Sequence, residues 1–274
     1  MKKILFILPL LITISQLYAQ KQDRINNSIY KINLWLDIPV TIAGFITNDI
    51  GLRVVKNKPP LDSLKVVQLD PSEINWFDRG AARQNVDSYS TAIDISDYGA
   101  SISMFLPLLL FADEEIRKDW YKILILFLEA EAINGNAYSW LAAVHIDRMR
   151  PLVYNSDFPL NKRLESRNRN SFFSGHVSTV ATASFFTAKV YSDYHPELGR
   201  KKYIIYSAAL IPPIFVGACR YKSGKHFPTD IITGLAVGAS IGILTPHLHK
   251  NKNYNPAVIP VTGSFTGLSL SYKF

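Results

Sequence analysis

The sequence predicts an all-α fold, and three observations carry that prediction. Long apolar runs alternate with short polar loops between residues 34 and 246, no alternating strand pattern occurs before residue 256, and apolar residues make up 48% of the 274 against 19% charged. Such a chain can bury a sizeable core and is not disordered. The organisation expected is a leader at 1–19, a helical domain at 20–255 and a strand-like tail at 256–274.

The elements follow in order. MKKILFILPLLITISQLYAQ sets Lys2 and Lys3 before an apolar run from Ile4 to Ile14, with Leu17 and Ala19 at the −3 and −1 positions. That is the layout of a secretory signal peptide, so the expected location is the periplasm or cell envelope. The formal net charge is +8, and loss of the two leader lysines leaves 28 basic against 22 acidic side chains. In an exported protein this excess suits anionic substrates or a membrane surface and argues against nucleic acid. The single cysteine, Cys219, excludes an internal disulfide and a thiolate zinc cluster. No feature of the sequence sets an oligomeric state.

LWLDIPVTIAGFITNDI, 34–50, reads as a first helix, followed by a polar linker at Lys58, Pro59 and Pro60. Asp70-Pro71 with Glu73 reads as a helix start, with Trp76 and Phe77 as packing residues. Fifteen uncharged residues between Asp97 and Asp113 are short for a bilayer span, and Glu129 and Glu131 interrupt the next apolar segment. The expectation is therefore buried helices of a soluble or peripheral protein, with runs at 203–219 and 230–246 keeping a membrane reading open. Gly234, Gly238 and Gly242 recur every four residues, and their stripe should meet the small residues Ser178, Ala181 and Ser184 of 176–191. That approach would bring His176 and His226 to one end of the bundle. In the tail, Leu268, Leu270, Tyr272 and Phe274 alternate with polar residues, so a short β-hairpin with 257–261 is expected through Thr262-Gly263-Ser264.

The chemistry concentrates in three stretches. In CRYKSGKHFPTD, 219–230, Pro228 opens a helix, so His226 should lie just outside it and Asp230 in its first turn, with the carboxylate reaching back to the imidazole. Arg220 adds a planar fork of donors for an oxyanion. SFFSGH, 171–176, places Ser174 and Gly175 at a helix start whose N–H groups and dipole attract anions, with His176 in the first turn. DRMRP, 147–151, offers Arg148 and Arg150 ahead of a helix-stopping proline. Alone, 219–230 fits an ordinary buried His–Asp pair equally well. His176, His226 and Asp230 could also ligate a metal, although the arginines beside them would repel a cation.

In this order, Arg150-Pro151, Ser174-Gly175-His176 and Arg220-x5-His226-x3-Asp230 resemble the signature of the type 2 phosphatidic acid phosphatase and vanadium haloperoxidase superfamily. That signature is KxxxxxxRP, PSGH and SRxxxxxHxxxD. The resemblance spans roughly residues 143–230 and implies a helical bundle of that family's type. It implies His226 as the nucleophile that forms a phosphohistidine, Asp230 as its support, and His176 as acid and then base. Arg150, Arg220 and the N–H groups around Ser174 and Gly175 would bind phosphate, with no metal and no cofactor required; vanadate could occupy the same pocket.

The sequence departs from the signature at three positions: Ala143 stands where the lysine belongs, Phe173 replaces the proline and Cys219 the serine. Arg148, or a basic residue of Lys162, Arg163, Arg167 and Arg169, would have to replace the lysine. His145 reads as a packing residue, and His195, His247 and His249 as surface or helix-end residues. The expected activity is a phosphatase acting on a phosphomonoester or a lipid (pyro)phosphate such as phosphatidic acid, undecaprenyl diphosphate or lipid A. The alternatives are a vanadate-dependent haloperoxidase and a catalytically weakened phosphate-binding or assembly protein of the envelope.

Overall fold

The computed structural model describes residues 28–251, 257–261 and 267–271. The leader at 1–19 and the hairpin turn at 262–264 lie outside the described residues. Two compact units form. One holds Ile32–His249, and the other gathers the chain ends up to Lys31 and from Lys250. In the smaller unit β1, Ala257–Val261, pairs antiparallel with β2, Gly267–Ser271, placing Ile259 opposite Ser269.

The larger unit is helical, as expected. Its helices of twelve residues or more are α1 Leu34–Lys56, α2 Tyr89–Ser103, α3 Trp120–Asn136, α4 Gly175–Tyr194, α5 Ile211–Lys222 and α6 Pro228–Leu248. The Asn33 side chain caps α1 by accepting the Trp35 N–H, while Asp37 accepts the Asn33 N–H at 2.7 Å. α3 runs directly into a π-helical turn, Ala137–Ala143. The apolar run between Asp97 and Asp113 is not one helix: α2 ends at Ser103, and Pro107 falls in a 3-10 segment, Leu106–Ala112.

α4 is the central helix, with small and apolar side chains such as Val180, Ala181 and Phe186 buried along it. α6 lies against it because its glycine stripe carries no side chains. A Cβ at Gly234, Gly238 or Gly242 would stand 2.6, 2.1 or 2.5 Å from the backbone oxygens of Ser174, Ser178 and Thr182. The stripe therefore meets α4 as expected, but on the row Ser174, Ser178 and Thr182 rather than on Ala181 and Ser184. Ala100 of α2, Val177 and Val180 of α4 and Val216 of α5 close a core just behind the starts of α4 and α6.

Two expectations about burial are corrected. Trp76 is 84% exposed and Phe77 is exposed too, because only a three-residue 3-10 turn, Pro71–Glu73, forms where a helix was expected. The long apolar helices are not buried either. Leu34–Lys56 and Pro228–Leu248, as single helices, and Val86–Ala112 and Pro196–Lys222, as successions of helical segments, are each long and apolar enough to cross a membrane, yet only 17–28% of their most apolar stretches lies inside the protein. Glu129 and Glu131 do not oppose a membrane position, since both turn inward; Glu131 is buried and Glu129 lies 3.5 Å from His249.

Candidate active site

Three chain turns meet at one end of the α4–α6 pair. The first is the turn between α5 and α6. α5 ends at Lys222, and Gly224, at φ +61°, reverses the chain so that the N–H groups of Lys225 and His226 return to the Arg220 carbonyl at 3.1 and 3.4 Å. Pro228 then opens α6, with Phe227 as its N-cap. Arg220 and His226 thus leave one rigid turn, as the sequence suggested.

His226 is buried, and its Nδ1 lies 2.7 Å from the Ser171 carbonyl oxygen. A carbonyl only accepts, so Nδ1 carries the proton and Nε2 keeps a free lone pair. Burial, reinforced by the charges of Arg150 and Arg220, holds the imidazole well below its usual pKa. The ring is neutral at ordinary pH, the form a nucleophile requires.

Asp230 is not the direct partner of His226. The closest approach of its carboxylate to Nδ1 is 3.9 Å, too long for a hydrogen bond. Its Oδ2 instead accepts the Ser171 hydroxyl at 2.6 Å and the Phe227 N–H at 2.9 Å. Within the first turn of α6 the carboxylate caps its own helix, and Ser171 stands between it and the ring. Asp230 therefore positions His226 through the Ser171 main chain.

The second turn carries Arg150. Pro151 opens rather than stops a helix, Pro151–Tyr154, with Arg150 as N-cap, and the Arg150 N–H donates to the Asn168 carbonyl at 2.8 Å. The Arg150 guanidinium is buried, and that burial pulls it down from its ordinary pKa. Its only hydrogen bond among the described residues is a long one, 3.4 Å, to the Asn170 carbonyl, and its Nε has no partner. Arg220 is also buried. It donates to Ser96 Oγ and Asp97 Oδ1, both at 3.1 Å, and its Nε too has no partner among the described residues. Two buried guanidiniums with donors to spare form a site for an oxyanion.

The third turn starts α4. Ser174 N–H donates to the Asp230 carbonyl at 3.1 Å, so that donor is spent on holding α6. Gly175 lines the cavity, and a Cβ there would press on the Tyr138 ring at 3.2 Å. His176 follows, with Nε2 3.0 Å from Asp97 Oδ1. Arg150, Gly175, His176, Arg220 and His226 all line one cavity of about 400 Å³, whose other walls include Leu52, Ala100 and Met104. A second cavity of about 430 Å³ shares Arg150, His176 and Arg220 and adds Lys162, Arg167 and Lys225.

Arg148 is not in either cavity. Its guanidinium bridges the buried carboxylates of Asp230 and Asp78, donates to Thr229 Oγ1 at 2.8 Å and stacks 4.3 Å from the Phe227 ring. Two buried anions compete for it more strongly than a cavity ligand could, so it does not replace the lysine absent at 143. Of the basic loop, Lys162 and Arg167 reach the second cavity, whereas Arg163 donates to Val153 and Val66 carbonyls and Arg169 to those of Pro59 and Pro60. His145 is exposed and Cys219 lines neither cavity. Asp97, Ser171, Tyr138 and Lys225 were not singled out from the sequence. Ser171, which opens the SFFSGH stretch, and Lys225, adjacent to His226, lie in the motif stretches; Asp97 and Tyr138 do not.

Comparison with known proteins places this site in a family. The model of the PAP2 superfamily matches residues 120–254, which include α3 to α6 and every motif residue from Arg150 to Asp230. The chain belongs to the PAP2 superfamily. It is similar to phosphatidylglycerophosphatase B of Bacillus subtilis (strain 168), 30% identical over 149 residues. That match covers 53% of this chain and 66% of that relative, slightly less than two thirds. A similar solved structure is the crystal structure of the first transmembrane PAP2 type phosphatidylglycerolphosphate phosphatase from Bacillus subtilis. It has 20% identity and a TM-score of 0.43, and the match covers 78% of this chain and 98% of that one.

Proposed function

We propose that this PAP2 protein is a membrane-spanning phosphatase that hydrolyses a lipid phosphate through a phosphohistidine at His226. One observation carries the reading. A neutral, buried His226 with a free Nε2 shares a cavity with two buried arginines, each of which keeps an Nε donor without a partner among the described residues. The name of the similar phosphatidylglycerophosphatase supports a phosphatase over a haloperoxidase or a binding protein, and suggests a glycerol-based phosphate lipid. The four apolar helices support a substrate that arrives from a bilayer, as do the apolar cavity walls at Leu52 and Met104. A leader at 1–19 would place the protein in an envelope membrane.

In this mechanism Arg150 and Arg220 hold the non-bridging oxygens while His226 Nε2 attacks phosphorus and the bond to the leaving alkoxide breaks. Burial and Arg220 pull His176 down to about 4 in the free site, so it is the negative charge of the bound phosphate, with Asp97 beside the ring, that restores the proton His176 gives to that alkoxide. His176 then takes a proton from the water that attacks the phosphohistidine, releasing phosphate and His226. The Ser171 carbonyl steadies the positive charge growing on the ring, and Asp230 keeps Ser171 in place. The test compares wild type with His226→Ala on lipid and water-soluble phosphates. Loss of at least about 10³-fold in kcat is expected for the variant, with lipid phosphates preferred by the wild type. Equal activity of the two proteins would refute the mechanism.

A further inference from the structure

Lys225 is a buried lysine whose charged form the protein around it does not balance. The residue is 3% exposed, and among the described residues its ammonium has neither a salt-bridge partner nor a hydrogen-bond acceptor. It rests 5.0 Å from the Tyr89 ring. Burial and three guanidiniums, Arg150, Arg167 and Arg220, pull the ammonium down to about 6, against a weaker opposite pull from Glu165. Arg167 and Lys162, at the same cavity, already share Glu165 at 2.5 and 3.5 Å. A buried lysine kept among like charges is costly unless an anion arrives there.

The placement of Lys225 indicates which anion. Its backbone is locked to the Arg220 carbonyl by the glycine turn, so Arg220, Lys225 and His226 project from one rigid segment. The side chain lines the second cavity together with Arg150, His176 and Arg220. Those three residues also line the first cavity, where His226 lies. An anion gripped by Arg150 and Arg220 therefore borders both spaces. It meets His226 from the first and Lys225 from the second.

We propose that Lys225 binds the transferring phosphate from the second cavity, as the third buried cation of the site beside Arg150 and Arg220. The inference rests on the phosphatase reading above. It also accounts for a site that works with alanine at 143. That position is fully buried in the π-helical turn, its carbonyl is taken by Lys58 Nζ at 2.6 Å, and it lines neither cavity. A cation entering from the α5–α6 turn reaches the same oxyanion from another direction.

The test uses the full chain in detergent micelles, with inorganic phosphate as the probe, read by calorimetric binding and by inhibition of lipid phosphate hydrolysis. Lys225→Gln should weaken phosphate binding about 10- to 100-fold, with a similar fall in kcat/KM, since it removes a charged hydrogen-bond donor. At pH 6 or below, where wild-type Lys225 is charged, Lys225→Arg should stay within about threefold of wild type because it keeps the charge. Exposed Lys222→Gln, three residues away, should change nothing. Lys225→Met serves as a second neutral variant should Lys225→Gln fail to fold, which the unfolding midpoint reports. Wild-type phosphate affinity in either folded neutral variant overturns the proposal. Phosphate binding that is lost in Lys225→Gln, in a protein that turns over no lipid phosphate, would overturn the phosphatase reading while supporting this one.

Discussion

Replacing Gly238 by alanine tests how the fold builds the site. A Cβ at 238 would stand 2.1 Å from the Ser178 backbone oxygen, far inside the 3.4 Å at which ordinary contact begins. The obstacle is helix backbone, which cannot rotate away, so α6 and α4 must separate by about an ångström over at least a turn. Alanine gains about 1 kcal/mol of helix propensity over glycine, while overpacking of a close interface costs about 1–3 kcal/mol or more. The clash is the most severe of the three in the stripe, so a net loss of about 1–2 kcal/mol is expected for Gly238→Ala, and less for Gly242→Ala. Gly234→Ala meets the Ser174 oxygen at 2.6 Å, beside Gly175 and His176, so it should cost more activity than stability. The assays are thermal unfolding in detergent and kcat/KM on a lipid phosphate. An unfolding midpoint of Gly238→Ala at or above the wild-type value would refute the backbone-on-backbone packing.

Two further predictions concern the charges around the site. Arg148→Gln should lower the unfolding midpoint and kcat, because it strips the buried Asp78 and Asp230 of a shared cation. It should leave the affinity for inorganic phosphate within about twofold of wild type, since an arginine outside the cavities supplies no phosphate contact; a large loss of affinity would restore Arg148 to the phosphate site. The pH dependence of phosphate binding should differ between wild type and Lys225→Arg. Lys225 titrates near 6 instead of 10.5 in the free protein, and a bound phosphate favours its charged form. Binding is thus fully supported below about 6 and must take up a proton above it, so wild-type affinity falls by up to about tenfold per pH unit relative to the arginine variant. The facing groups are common to both proteins and cancel in the comparison. They are Tyr89, Asp94 and Asp97 from α2, His176 from α4, Arg220 from α5, Arg150, and Lys162, Glu165 and Arg167 from the basic loop. Parallel profiles would refute the reasoning.

Much of the site could be read from the sequence because its elements are local. Pro228, Gly224 and the Ser174-Gly175 pair are residues whose own backbone preferences open and close helices. The His226 and Asp230 placements follow from counting along one turn. The partner of His226 could not be read the same way. Asp230 is four residues away and able to reach, but its Oδ2 is claimed by the Ser171 hydroxyl and the Phe227 N–H and its Oδ1 by Arg148, and the ring turns to a carbonyl 55 residues earlier. Arg148 and Arg150 look alike in sequence, two residues apart and equally basic. The buried Asp78, 70 residues before Arg148, draws one of them away from the cavity. Burial of the apolar helices is not legible in the sequence because hydropathy is the same for a side chain facing a core and one facing lipid.

The sequence by itself determined the all-α class, the glycine stripe that joins α4 to α6, and the two histidines with two arginines at one end of that pair. These depend on periodicity, turn chemistry and residue type, which act over a few positions. Only the tertiary structure decided which side chains own the anion site. Arg150 and Arg220 keep donors to spare, Arg148 is occupied, Asp97 joins His176 to Arg220, and Lys225 enters from a second cavity. The physical reason is competition. A charged side chain settles on whichever opposite charge or acceptor the whole fold brings nearest, and that choice is made across the chain rather than along it.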